Sequence, residues 1–158
     1  MSGLVSRRSF LQLLTLPLAG CAAEGARYLP NGVVGAKNTG TIYVYRPLTQ
    51  IGQRGEDPFV SMAHKSYGRM RAGSFIAGTF PEGDVAVTVQ QSMLFIVPTI
   101  PKTVTVTVVR GGQSFVRVDQ TIDSIGITDG AALSQSIEIE EVPYNVGEAE
   151  LAQTRQNI

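Results

Sequence analysis

The chain has one cysteine and one histidine in 158 residues. The cysteine is Cys21, so everything after it is free of thiols. A disulfide framework and a thiolate metal site are therefore excluded from the remainder. A metal centre would want several ligands beside His64. A serine nucleophile would need a base, and His64 is the only imidazole; no G-x-S-x-G elbow occurs. Basic residues do not cluster, and 13 Lys and Arg are matched by 13 Asp and Glu, which argues against a nucleic-acid partner. No apolar run reaches the roughly 20 residues that span a bilayer as a helix.

What is present begins with Ser6 to Cys21, SRRSFLQLLTLPLAGC. Arg7 and Arg8 supply a positive n-region, and Phe10 to Ala19 forms a short apolar h-region broken by Gln12, Thr15 and Pro17. Ser6-Arg7-Arg8-Ser9-Phe10-Leu11 resembles a twin-arginine export motif, with Gln12 where that motif often has Lys. Leu18-Ala19-Gly20-Cys21 resembles a bacterial lipobox. The resemblance implies a diacylglyceryl group on the Cys21 thiol, cleavage before it, and acylation of the new amino terminus. Ala19 and Gly20 suit a protease that needs narrow side chains beside the scissile bond. Each buried methylene contributes about 0.8 kcal/mol, so two or more acyl chains hold stably. Ala22, where the enteric sorting rule places a retaining Asp, implies the outer membrane. The alternatives are an ordinary signal peptide or a buried N-terminal helix. Twin-arginine export carries folded domains, and a domain without disulfides can fold before export.

The chain divides into a signal peptide with its lipobox over 1–20, a flexible tether over 21–40, a β-sandwich over 41–142 and a polar C-terminal tail over 143–158. Removing 1–20 leaves 138 residues, enough for one core without staples. Without Arg7 and Arg8 the acidic residues outnumber the basic ones by two.

Thr41 to Arg46 alternates Ile42 and Val44 against Tyr43 and Tyr45, and Pro47 ends it. Leu48 to Pro58 reads as an exposed loop. Phe59 to Lys65 reads as a second strand, Ser66-Tyr67-Gly68 as a turn and Arg69 to Ala72 as a short return strand. Gly73 introduces Ser74 to Phe80, and Pro81-Glu82-Gly83 makes a turn. Val85, Val87 and Val89 share one face, as do Val104, Val106 and Val108. Gly111-Gly112 is a two-residue hairpin signal that predicts Gln113 to Gln120 pairing back. Ser136 to Val142 is the last strand, with Glu138 and Glu140 on its wet face. A short helix is expected over Gly147 to Gln156. Seven to eight short antiparallel strands predict an all-β fold, a β-sandwich of immunoglobulin-like or Greek-key type, with a small barrel as the alternative.

Several of these segments carry a family likeness. Tyr43-Val44-Tyr45-Arg46-Pro47, Gly68, Gly73-Ser74-Phe75, Phe80-Pro81-Glu82-Gly83 and Gly111 to Val118 occur in that order. Over roughly Thr41 to Val118 the chain resembles the domain-of-unknown-function 2846 family, small β-rich domains of bacterial lipoproteins. The resemblance implies a surface lipoprotein domain and supplies no catalytic residues.

Arg46, Arg69 and Arg71 are candidate contacts for an anionic polymer or a partner, against the plainer reading of a wet strand face. Phe95 and Ile96 lie in the densest apolar stretch, Met93 to Pro101, which is either an edge segment packed on the core or an exposed loop that meets a membrane or partner. The acidic pairs Glu56-Asp57 and Glu82/Asp84 sit beside turns, and Asp123 and Asp129 match no calcium loop. The expected function is a non-catalytic, lipid-anchored module of the bacterial cell envelope, facing the periplasm, that binds an envelope protein or polymer and needs no cofactor. An envelope hydrolase or carbohydrate-active enzyme, and a small-ligand or metal carrier, are the alternatives.

Overall fold

The computed structural model describes Tyr28 and residues 38–48, 57–91, 100–127 and 130–157, with 122–127 and 130–135 described by backbone alone. The strands are β1 (Thr39–Arg46), β2 (Phe59–Met62), β3 (Lys65–Arg69), β4 (Ser74–Pro81), β5 (Gly83–Gln90), β6 (Lys102–Val108), β7 (Gln113–Ile127), β8 (Gly130–Val142) and β9 (Arg155–Gln156). One helix, α1 (Tyr144–Leu151), lies between β8 and β9. The strands form a five-stranded mixed sheet in the order β8-β7-β1-β4-β9 and a four-stranded antiparallel sheet in the order β3-β2-β5-β6. The two pack together as a β-sandwich-like arrangement.

Between the sheets lies an aliphatic core. Val85, Val87 and Val89 of β5 enter it with Val106 and Val108 of β6, and Val104 packs at its edge. From the facing sheet come Ile42 and Val44 of β1, Ile76 of β4, and Val116 and Val118 of β7. Period-two alternation puts these β-branched side chains on one face of each strand. Each fully buried one contributes about 1.5–3 kcal/mol.

Two expectations of a purely antiparallel fold are corrected. β1 pairs in parallel with β7 from Thr41↔Gln113 to Tyr45↔Arg117, and β4 pairs in parallel with β9. The first follows from the glycine turn. Gly111 N–H donates to Thr39 O at 2.9 Å, and Thr41 N–H donates to Gly112 O at 3.0 Å. The turn is thus hydrogen-bonded to β1 and delivers β7 beside it, so Gly111-Gly112 carries the chain from one sheet to the other instead of closing a hairpin. Gly40 allows the close approach: a Cβ there would meet Val109 O at 2.4 Å.

The second hairpin also differs from expectation. Ser66-Tyr67-Gly68 lies inside β3, and the turn falls at Ala63-His64, both at positive φ (48° and 64°). Two positive-φ residues are what a tight hairpin turn requires, but neither residue announces it. Arg69 closes β3, and Met70 to Gly73 is a connection in place of a return strand. β7 and β8, at 15 and 13 residues, are longer than expected and pair from Phe115↔Val142 to Ile127↔Gly130. Beyond β1 they continue as a two-stranded ribbon.

The segment 143–157 is bound into the fold. α1 buries Leu151, Arg155 N–H donates to Gly73 O at 3.0 Å and Asn157 N–H to Phe75 O at 2.7 Å. The tail reading missed this because α1 carries few apolar residues, and β9 is held through its backbone.

Candidate functional site

The outer face of the five-stranded sheet is the most chemically distinctive surface among the described residues. β1 presents Tyr43 and Tyr45 there, β4 presents Phe75, and β7 presents Phe115. Tyr28 and α1 cover them, so β1 is buried on both faces. Tyr43 stacks on Phe115 at 5.5 Å between ring centroids, and Tyr28 meets Tyr43 edge-on at 5.3 Å. The Tyr28 hydroxyl donates to Gln113 Oε1 at 3.3 Å. Gly147 lets α1 lie directly on Phe115, since a Cβ there would sit 2.3 Å from the ring's Cγ.

Beside this patch Arg117 gathers three carboxylates. Its Nε lies 2.9 Å from Asp119 Oδ2, its Nη1 donates to Glu150 Oε1 at 3.2 Å, and its Nη2 donates to Glu140 Oε1. Tyr45 completes the group, its hydroxyl donating to Glu150 Oε2 at 2.5 Å. The guanidinium, whose planar fork suits several carboxylates at once, thereby joins β7, β8 and α1, and Glu150 extends the link to β1.

The electrostatics follow from burial and these partners. Burial pushes the Tyr45 phenol up, and its bond to Glu150 adds to the shift. Burial raises Tyr28 to about 12, reinforced by Tyr43, Tyr144 and Glu148. Burial works against the Arg117 charge, yet Asp119, Glu150 and Glu140 together hold its pKa above the ordinary value. Asp119 is raised by burial although Arg117 opposes the shift. A shallow cleft of about 360 Å³ opens beside the cluster, lined by Lys102 and Thr103 of β6, Arg117 and Asp119 of β7, and β8 from Ile137 to Glu140.

The arginines singled out from sequence differ in exposure. Arg46 is fully buried and lies 3.6 Å from Asp57, so its place as a partner contact is corrected: it is part of the interior. Burial lowers its pKa, and Asp57 counters that. Arg69 is exposed and lies over the Phe59 ring at 4.8 Å. Arg71 is exposed in the connection after β3, and its N–H donates to Asn157 Oδ1 at 3.5 Å. Phe95, Ile96, Cys21, Arg7, Arg8, Leu18, Ala19 and Gly20 lie outside the described residues.

His64 is exposed at the β2–β3 turn. Asp84, in β5, accepts from Thr107 Oγ1 of the paired strand at 2.8 Å, and Glu82 lies 3.7 Å from Arg110. Among the described residues no group of three or more His, Cys, Asp or Glu is placed to hold a metal ion. Among them, too, no helix is long and apolar enough to cross a membrane. Sequence reading missed Tyr28, Arg117 and Glu150. The signal for Arg117 was present: it and Asp119 alternate with the buried Val116 and Val118, so a charged face opposite the core was readable.

No family model matches the chain, and neither a curated protein nor a solved structure matches it.

Proposed function

We propose that this chain is a lipid-anchored lipoprotein of the bacterial cell envelope, held at Cys21 and facing the periplasm, with a non-catalytic β-sandwich that serves as a binding or structural module. The leader from Ser6 to Cys21 supports the anchor and the export route. The observation that carries the non-catalytic reading is the use of charge at Arg117. Its guanidinium is engaged by Asp119, Glu140 and Glu150, and Glu150 is engaged again by Tyr45. Groups that satisfy one another in this way fasten elements together instead of facing a reacting bond. The likeness to the domain-of-unknown-function 2846 family and an outer-membrane location belong to this reading. So does a Greek-key strand path, supported by the place of β1 between β4 and β7.

The test follows a palmitate analogue in the bacterial envelope. Wild type takes the lipid label and stays in the membrane fraction; Cys21→Ser takes none and is released or unprocessed. Unchanged labelling in the variant sinks the anchor. Replacing Arg7 and Arg8 with Lys stops export by the twin-arginine route, and normal export would assign the general secretory route. In-cell crosslinking then captures an envelope protein or polymer; a domain that instead turns over envelope substrates overturns the non-catalytic reading.

A further inference from the structure

The position of Tyr28 determines which side of the sandwich the chain leaves from. Its ring is only 6% exposed, packed edge-on against Tyr43 and Phe75 and hydrogen-bonded to Gln113. All three partners belong to the five-stranded sheet. Tyr28 follows Cys21 by seven positions. At most about 3.3–3.6 Å per residue, that stretch reaches no more than ~25 Å.

The domain is wider than that reach. A compact domain of ~120 residues has a radius of gyration near 14 Å, hence a sphere of about 17 Å radius and about 55 Å around half its circumference. A tether of ~25 Å that starts on one face cannot pass round to the other. We infer that Tyr28 orients the anchored domain: the five-stranded sheet with α1 faces the membrane, and the four-stranded sheet faces away from it, open to a partner. This rests on the lipid anchor at Cys21 proposed above.

Charge sets the distance of that approach. The membrane-side face carries Asp119, Glu140, Glu148 and Glu150 around Arg117, and an acidic face is repelled by anionic headgroups. The domain therefore stands off the bilayer instead of lying flat on it. The face turned outward is hydroxyl-rich, with exposed Thr103, Thr105 and Thr107 on β6 and Asp84 accepting from Thr107.

The lone thiol makes the test clean. In the anchored protein Cys21 is alkylated, so an introduced cysteine is the only one a spin label can take. Thr79→Cys places the label on the outer face of the five-stranded sheet, where Thr79 is exposed and paired with Thr41. Thr105→Cys places it on the outer face of the other sheet. Full-length lipidated protein is reconstituted in phosphatidylcholine vesicles containing a nickel-chelating lipid.

With sheets ~10 Å apart and labels beyond both, relaxation enhancement is expected to be at least about threefold greater at Thr79 than at Thr105. Tyr28→Ser removes the ring and the hydrogen bond that fix this point of the chain to the five-stranded sheet and brings the ratio towards one, with circular dichroism confirming that the sandwich is intact. Equal enhancement at both sites in protein that floats with the vesicles, or an unchanged ratio in a folded Tyr28→Ser, overturns the orientation and leaves the anchor standing. Wild type that accepts thiol label and does not float overturns the anchor, and the orientation with it.

Discussion

The Tyr45 hydroxyl donates to Glu150 Oε2 at 2.5 Å, joining residues 105 positions apart. Two positions earlier on β1, the Tyr43 hydroxyl is buried with no hydrogen-bond partner among the described residues. The two tyrosines share one face and one burial, and differ in what their oxygens meet. Tyr45→Phe deletes a bond to a charged acceptor and is expected to cost about 1–2 kcal/mol, whereas Tyr43→Phe removes an unpaired buried group and is neutral or stabilising. Urea denaturation of the two variants checks this, and equal losses would contradict it.

Gly147→Ala tests how tightly α1 is seated. The new Cβ would lie 2.3 Å from Phe115 Cγ and 2.4 Å from its Cβ. Phe115 is fully buried and stacked on Tyr43, so it has nowhere to turn. Overpacking of this kind costs about 1–3 kcal/mol, although alanine favours helix by itself. Faster limited proteolysis within α1 is the expected readout, with cleavage at the wild-type rate as the contrary result.

Alkaline pH should loosen the same layer. In the unfolded chain the phenols ionise at their ordinary value of 10.0, while in the fold Tyr28 waits until about 12 and Tyr45 is raised as well. The fold therefore favours the protonated phenols, and their contribution is complete below pH 10. As pH rises above 10 the unfolded state releases protons first, and stability falls, for Tyr28 until about 12. Urea midpoints measured from about pH 8 to 11.5 should decline above 10, and Tyr28→Phe should flatten the decline. A steady midpoint in wild type would remove the basis for this reading.

The β2–β3 turn is built from Ala63 and His64 at φ 48° and 64°. Non-glycine residues held there cost of order 1 kcal/mol or more each. Ala63→Asn with His64→Gly supplies residues that prefer this geometry and is expected to stabilise by about 1–2 kcal/mol. Partner capture in cells should be unchanged, because His64 is spent on a turn; loss of capture with a stable fold would give His64 a binding role.

The four-stranded sheet was the more legible half of the fold. Val85, Val87 and Val89 alternate with small or polar residues, as do Val106 and Val108, and these positions are buried as the period requires. The five-stranded sheet was less legible because its pairing is decided at a distance. Tyr43 and Tyr45 read as the opposite face of a strand, and nothing local says that α1 and Tyr28 will cover them. Gly111-Gly112 is a strong local signal whose meaning is set by its bonds to Thr39 and Thr41. Ala63-His64 is the converse, a tight turn without turn residues. Of the candidate contacts, Arg46 was misread because a strand-end arginine followed by Pro47 resembles a surface residue, while its burial comes from the fold around it.

Tyr28 and Leu151 belong to one cluster, so the two ends of the described chain close the same layer. On the ribosome these ends are made at opposite times. β2, β3, β5 and β6 all lie between Phe59 and Val108, and that sheet can assemble while translation continues. β1 leaves early, yet its neighbour β7, the helix over its tyrosines and the edge strand β9 arrive only with the last third of the chain. Throughout that interval Tyr43 and Tyr45 lack the cover that Phe115 and α1 later give them, so β1 is finished only by chain made long after it.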